Sequence, residues 1–190
     1  MKEGDAVPSL GDVLEEGWRL LVLASRTPGH PLRTPVVATA GDDGGERVVV
    51  LRGVDVVAGE LEFHTDARSP KAMALRRSPA MTWVFYDPST GVQWRARGEG
   101  RLHVGDDVWR AAWERVPSAS RANYGVDAAP GTALGAPLEA VDFRDVGPAH
   151  FMVVRCRLEW LDWLWLRPLG NLRAQWVRDG AGWRGQWVAP

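Results

Sequence analysis

The chain has 190 residues, enough for one domain with a substantial buried core. A formal net charge of −1 excludes the broad basic field of a general nucleic-acid or membrane-surface binder. Cys156 is the only cysteine, so an internal disulfide is excluded, and no apolar run is long enough to span a bilayer.

The first residues lack the apolar core of a signal peptide, so a cytoplasmic protein is expected. Ser9 to Ala24 predicts an amphipathic helix, with Leu10, Val13, Leu14, Trp18 and Leu21 at helical spacing and Ser9 as its cap. Residues 33–40 predict a strand, Gly41 to Gly45 a turn, and Glu46 to Gly53 the returning arm of a hairpin. A connection over 54–59 leads into a strand at 60–65. Ser69 is a suitable N-cap and Pro70 suits the first helical position, so a helix is predicted over 69–77.

Residues 80–87 predict an apolar strand that stops at Pro88-Ser-Thr-Gly91. The next segment alternates cleanly: Gln93, Arg95, Arg97, Glu99, Arg101 and His103 point one way, and Trp94, Ala96, Gly98, Gly100 and Leu102 the other. Gly98 and Gly100 predict a bulge or a close backbone approach. A helix is predicted over 106–115, then a long loop over about 116–148 rich in Pro, Gly and Ala. Strands follow at 149–161, 162–166, 172–178 and 183–188, with a turn at 179–182. Many short strands at hairpin spacing, with few helices, predict a mainly β protein built as an antiparallel barrel with flanking helices, one domain over 1–190.

The chemistry gathers where the strands at 47–52 and 60–65 meet the helix start at Ser69. A helix N-terminus presents unpaired N–H groups and a partial positive charge. With Arg47, Arg52, Thr65, Arg68 and Lys71 beside it, the natural guest is a phosphate monoester. The ordinary alternative is a Ser-Pro cap that binds nothing, with solvated arginines around it. Eleven tryptophans, six of them between Trp160 and Trp187, suit core and subunit interface more than an aromatic ligand site. Cys156 lies in an apolar strand, as a buried structural thiol does. His30, His103 and His150 stand without partners at ligand spacing, so no metal site is expected.

In order, Arg-x-Val-x-Leu-Arg at 47–52, Phe-His-Thr-Asp at 63–66, Arg-Ser-Pro-Lys at 68–71 and Gln93 opening a long strand resemble the pyridoxamine 5′-phosphate oxidase-like family. The resemblance implies an FMN-binding split β-barrel that forms homodimers, with the flavin in the groove between subunits. Arg47 matches the arginine opening the flavin strand and Arg52 the basic residue five positions on, with Val48 and Leu51 between them in the cofactor-binding set. His64 and Thr65 match the pair that meets the cofactor. Ser69, Pro70 and Lys71 match a Ser-Arg-Lys phosphate clamp whose central arginine is absent here, and Arg68 stands one residue earlier. Gln93 matches a glutamine that hydrogen-bonds the flavin ring, and Arg173 a C-terminal arginine near the ring. Arg47 and Arg52 are five apart, so a regular strand would project them to opposite faces.

The substrate half of the pattern departs from the family. An Arg-x-His pair that holds the pyridoxal phosphate ligand in true oxidases reads Leu169 and Asn171 here. Ser120 and Trp163 are the substrate-side candidates, and no protein acid or base is identifiable, with His64 and Arg52 the nearest. The implied function is an FMN-dependent oxidoreductase acting on an unidentified small molecule. Open beside it stand a flavin-binding protein without turnover and a barrel for another planar cofactor, such as haem or a deazaflavin.

Overall fold

The computed structural model describes residues 7–41, 45–137 and 147–190. The expected turn at 41–45 and long loop at 116–148 therefore lie partly outside the described residues. The elements are α1 (Leu10–Arg26), β1 (Val36–Thr39), β2 (Gly45–Val48), β3 (Leu51–Asp55), β4 (Glu60–Asp66), α2 (Pro70–Arg77), β5 (Ala80–Asp87), β6 (Val92–His103), α3 (Asp107–Arg115), α4 (Ser118–Arg121), β7 (Phe151–Trp165), β8 (Leu172–Asp179) and β9 (Gly182–Val188). Single 3-10 turns cover Pro31–Arg33 and Ala122–Tyr124.

Helix α1 begins at a reciprocal cap: Ser9 Oγ accepts from the Asp12 amide at 3.1 Å, and the Asp12 carboxylate accepts from the Ser9 amide at 3.1 Å. Two otherwise orphaned donors are satisfied, which sets where the helix starts. Its apolar stripe buries Val13, Trp18 and Leu21.

All strand pairs are antiparallel, in the order β2-β1-β5-β6-β7-β4-β3, with β8 and β9 branching from β7. The path of hydrogen bonds is open, yet its two end strands are consecutive in the chain, separated by Val49 and Val50 alone. The hairpin arm expected over 46–53 is thus two strands, not one. Pro35 explains the break: its carbonyl accepts from the Val49 amide at 3.0 Å, but it has no N–H to return. The chain then turns to pair with β4 through a register shift between Leu51 and Gly53. That bend leaves the sheet a split barrel rather than a closed one.

Strand β7 differs from expectation in the other sense, since 149–161 and 162–166 form one strand of 15 residues. Asp162 reads as a strand breaker in sequence. Its carboxylate is hydrogen-bonded by three side chains from neighbouring strands, so the strand continues through it. The first half of β7 pairs with β4 and the second half with β8, while β6 follows almost its whole length.

The main core lies inside the curved sheet, around Val37, Leu51, Phe63, Trp83, Cys156 and Leu158. A smaller cluster under α3 joins Phe151 and Val153 to Trp109, Trp113 and Tyr124. Trp18, Trp83, Trp94, Trp163, Trp165 and Trp176 are buried, as core tryptophans. Burial pushes the Cys156 thiol up to about 12, which leaves it unreactive at neutral pH. Among the described residues no helix is long and apolar enough to cross a membrane, and no group of three His, Cys, Asp or Glu could hold a metal ion.

Candidate functional site

The edge of β4 delivers Thr65 to the start of α2. Thr65 and Ser69 are buried, and their hydroxyl oxygens lie 3.1 Å apart. Ser69 Oγ also accepts from the Ala72 amide at 3.4 Å, so the cap predicted from sequence is the cap observed. Lys71, in the first turn, reaches back and donates from Nζ to Thr65 Oγ1 at 3.1 Å. Arg47, on β2, donates to Thr39 Oγ1 at 2.8 Å. Burial lowers the pKa of both cations, and the Arg47 guanidinium depresses Lys71 further. Two partly desolvated cations therefore sit beside two hydroxyls at a helix N-terminus.

Arg68 is directed elsewhere. Its guanidinium forms a fork on Asp66, with Nε 3.1 Å from Oδ1 and Nη2 2.8 Å from Oδ2. It also donates to the carbonyls of Val126 and Asp127, each at 2.8 Å. Arg68 ties down the segment after α4, and its guanidinium is engaged there and on Asp66. Arg52 and Arg47 have different neighbours: Arg52 lies close to Arg33 and the half-buried Tyr124. The break at Val49 and Val50 separates the two arginines. Leu51 is fully inside the core, so only its backbone can face a ligand, while Val48 is exposed.

His64 belongs to a relay on the outer face of β4 and β7. The Glu62 carboxylate accepts from His64 Nε2 at 3.2 Å and from Arg155 Nε at 2.9 Å. Burial pushes the Glu62 carboxyl up, but the bonds from His64 and Arg155 outweigh it and hold the pKa below the ordinary value.

A second polar group forms on the far part of β7. Gln93 and Arg173 are both cross-strand partners of Leu164, so the three share one face. Beside this row, Asp162 is fully buried and accepts from Arg95 Nη2 at 3.0 Å, Arg173 Nη2 at 2.8 Å and Gln175 Nε2 at 2.7 Å. Gln93 and Arg173 are singled out by the sequence, whereas Asp162, Arg95 and Gln175 are not. The available signal was a lone acid inside Leu-Asp-Trp-Leu-Trp.

Trp163 points to the opposite, core-side face, against Trp165 and Trp187 at 6.2 Å between ring centroids. It lines an apolar cavity of about 310 Å³ under α1 with Trp94 and Trp165, away from the Gln93–Arg173 row. Ser120 sits half-buried on α4 and is not brought to either polar group. Leu169 is 78% exposed in a turn whose Asn171 Oδ1 accepts from the Arg167 amide at 3.2 Å. That turn offers no anion grip like the family's Arg-x-His pair.

These residues fit a flavin nucleotide at both ends. Lys71, Arg47, Thr65, Ser69 and the α2 N-terminus form a donor set for a phosphate dianion. Gln93 and Arg173 would offer an amide and a cation to the polar edge of a bound ring.

The comparisons with known proteins agree in kind. Residues 20–104 match the family model for the pyridoxamine 5′-phosphate oxidase, FMN-binding domain. That span runs from α1 to the end of β6 and includes Arg47, Lys71 and Gln93. A pyridoxamine 5′-phosphate oxidase-related, FMN binding protein from Nostoc punctiforme superposes with a TM-score of 0.75 at 23% identity, covering 98% of this chain and 100% of that one. PhzG from Burkholderia lata, crystallised with tetrahydrophenazine-1-carboxylic acid, superposes at 0.71 with 18% identity, covering 100% and 97%. A general stress protein 26-related protein from Clostridium acetobutylicum reaches 0.53 at 14% identity, covering 85% and 93%. No curated protein matches the chain in sequence. The structural likenesses establish the fold, and over residues 20–104 the chain is similar to the pyridoxamine 5′-phosphate oxidase, FMN-binding domain family.

Proposed function

We propose that the protein is an FMN-dependent oxidoreductase of a small molecule other than pyridoxamine phosphate. The observation that carries this is the desolvated Lys71 ammonium, held on Thr65 beside the buried Ser69 at the α2 N-terminus, with the Arg47 guanidinium near enough to lower its pKa. Like charges are held close at a cost that a phosphate dianion offsets. When bound, the flavin supplies hydride chemistry, and the protein supplies orientation, charge and exclusion of water. The turn at Leu169 and Asn171 is why pyridoxamine phosphate is not proposed as substrate.

The protein acts as a homodimer in this reading, and register supports that. Thr65 lies opposite Met152 on β7, while Gln93 and Arg173 lie opposite Leu164, twelve residues along the same strand. At about 3.3 Å per residue this is roughly 40 Å measured along an extended strand, about twice the length of a flavin nucleotide. In this reading one FMN takes its phosphate grip from one chain and its ring-side row from the second copy. A cytoplasmic setting suits a lone buried thiol that needs no oxidising compartment.

Mass spectrometry of the small molecule released on denaturation is expected to give FMN. Anaerobic NADH or NADPH is expected to bleach the flavin, and air to restore it. Bound FMN that neither nucleotide reduces would point instead to a flavin carrier.

Binding is also expected to depend on pH at both ends. Below the second phosphate pKa, about 6, the dianion takes up a proton and the charge attraction falls. Lys71 has a lowered pKa, so it loses its proton at a lower pH than a free lysine, and a bound dianion favours its charged form. FMN affinity therefore declines on the alkaline side as well. Fluorescence titration of FMN against riboflavin reads this, and matching profiles for the two would exclude a phosphate cradle.

A further inference from the structure

We infer that Asp162 is the positioning residue that sets the charge and aim of the flavin's ring-side cations, an inference that rests on the FMN reading above. Asp162 sits in the middle of three strands: Arg95 on β6 and Gln175 on β8 are its cross-strand partners. Its carboxylate is fully buried and is hydrogen-bonded by both, and by Arg173 from two residues along β8, through Nε at 3.1 Å and Nη2 at 2.8 Å. Burial pushes the Asp162 carboxyl up, and the bonds from Arg173, Gln175 and Arg95 outweigh that, leaving its pKa below the ordinary carboxylate value. The residue is therefore an anion at neutral pH, held between two guanidinium groups with one amide donor.

The consequence is electrostatic. Two guanidinium charges and one carboxylate leave a net local charge of +1 beside Gln93, where two arginines alone would give +2. Arg173 shares a face with Gln93 across Leu164, so its guanidinium is the charge presented to that edge. Arg95 Nε is buried without an acceptor among the described residues, so Arg95 owes its placement to Asp162 rather than to a full set of bonds of its own. Positive charge near the ring favours the reduced anionic flavin, and Asp162 limits that effect while fixing where it is applied.

The test is the midpoint potential of the FMN-loaded protein, measured for wild type, Asp162→Asn, Asp162→Glu and Arg173→Gln. Asp162→Asn keeps an acceptor for Arg173 and Gln175 but removes the negative charge. It is expected to favour reduced flavin about tenfold, a shift of about +30 mV for a two-electron couple. Arg173→Gln is expected to shift the potential the opposite way, and Asp162→Glu to lie nearer wild type. FMN-loaded variants that all keep the wild-type potential overturn the proposal and leave the flavin reading standing. Loss of FMN from Asp162→Asn with a wild-type potential in Arg173→Gln also overturns it, because Asp162 would then act through something else. If Asp162→Asn does not fold, the sign of the Arg173→Gln shift decides. Refusal of FMN by the wild type would instead end the flavin reading itself.

Discussion

Replacing Lys71 with alanine is expected to weaken FMN binding by roughly 10- to 100-fold, and the double change with Arg47→Ala to yield colourless protein. A hydrogen bond to a charged group contributes about 1.5–3 kcal/mol, and Lys71 adds the only ammonium among the described residues of this cradle. The loss should be confined to the phosphate: riboflavin should bind wild type and Lys71→Ala alike. Thermal stability should hold or rise, since the change removes a desolvated cation from beside Arg47. Arg68→Ala is the contrasting control. Arg68 is engaged by Asp66 and by the carbonyls of Val126 and Asp127, so its loss should loosen that segment and leave FMN affinity unchanged. Equilibrium titration with FMN and riboflavin checks all three, and unaltered FMN affinity in Lys71→Ala would show the cradle to be misplaced.

Gly98→Ala is expected to be the most damaging small substitution in the sheet. The register of β6 on β7 shifts between Arg97 and Gly98, and the two backbones approach so closely there that a Cβ on Gly98 would overlap the Arg157 carbonyl oxygen. Backbone cannot swing aside as a flexible side chain does, so the strands must part. A cost of roughly 3 kcal/mol or more is expected, lowering Tm by about 6–12 °C in a chain of this size. Gly100→Ala supplies the comparison: a Cβ there would meet Leu75 and Met81 side-chain atoms at 3.2 Å, which can give way. Its cost should be about 1 kcal/mol. Equal melting temperatures for the two variants would show that the close approach at Gly98 is not what holds this register.

Both predictions draw on features of different legibility. Helices α1, α2 and α3, the strand at 60–65 and the alternating strand from Val92 were readable because each is marked locally, by a cap, a turn residue or a period of two. The uncapped α4, by contrast, lies in the stretch read as a loop. The α2 cradle was readable for the same reason, since Thr65, Ser69 and Lys71 lie within seven residues and one chain turn brings them together. Arg68 shows the limit. Its charge and position in sequence suggest a phosphate ligand, but besides Asp66 it bonds the carbonyls of Val126 and Asp127, nearly sixty residues away.

The amino-acid order by itself determined the β-rich class, the family resemblance and the capped helix start at Ser69, because these depend on contacts a few residues apart. Only the tertiary structure decided that Pro35 ends one ladder and splits the barrel strand, that Trp163 faces the core, and that Asp162 gathers side chains from β6 and β8. Each of those outcomes is a cross-strand relation, set by which residues the register places opposite one another. Register is a property of paired chains, and no single strand carries it.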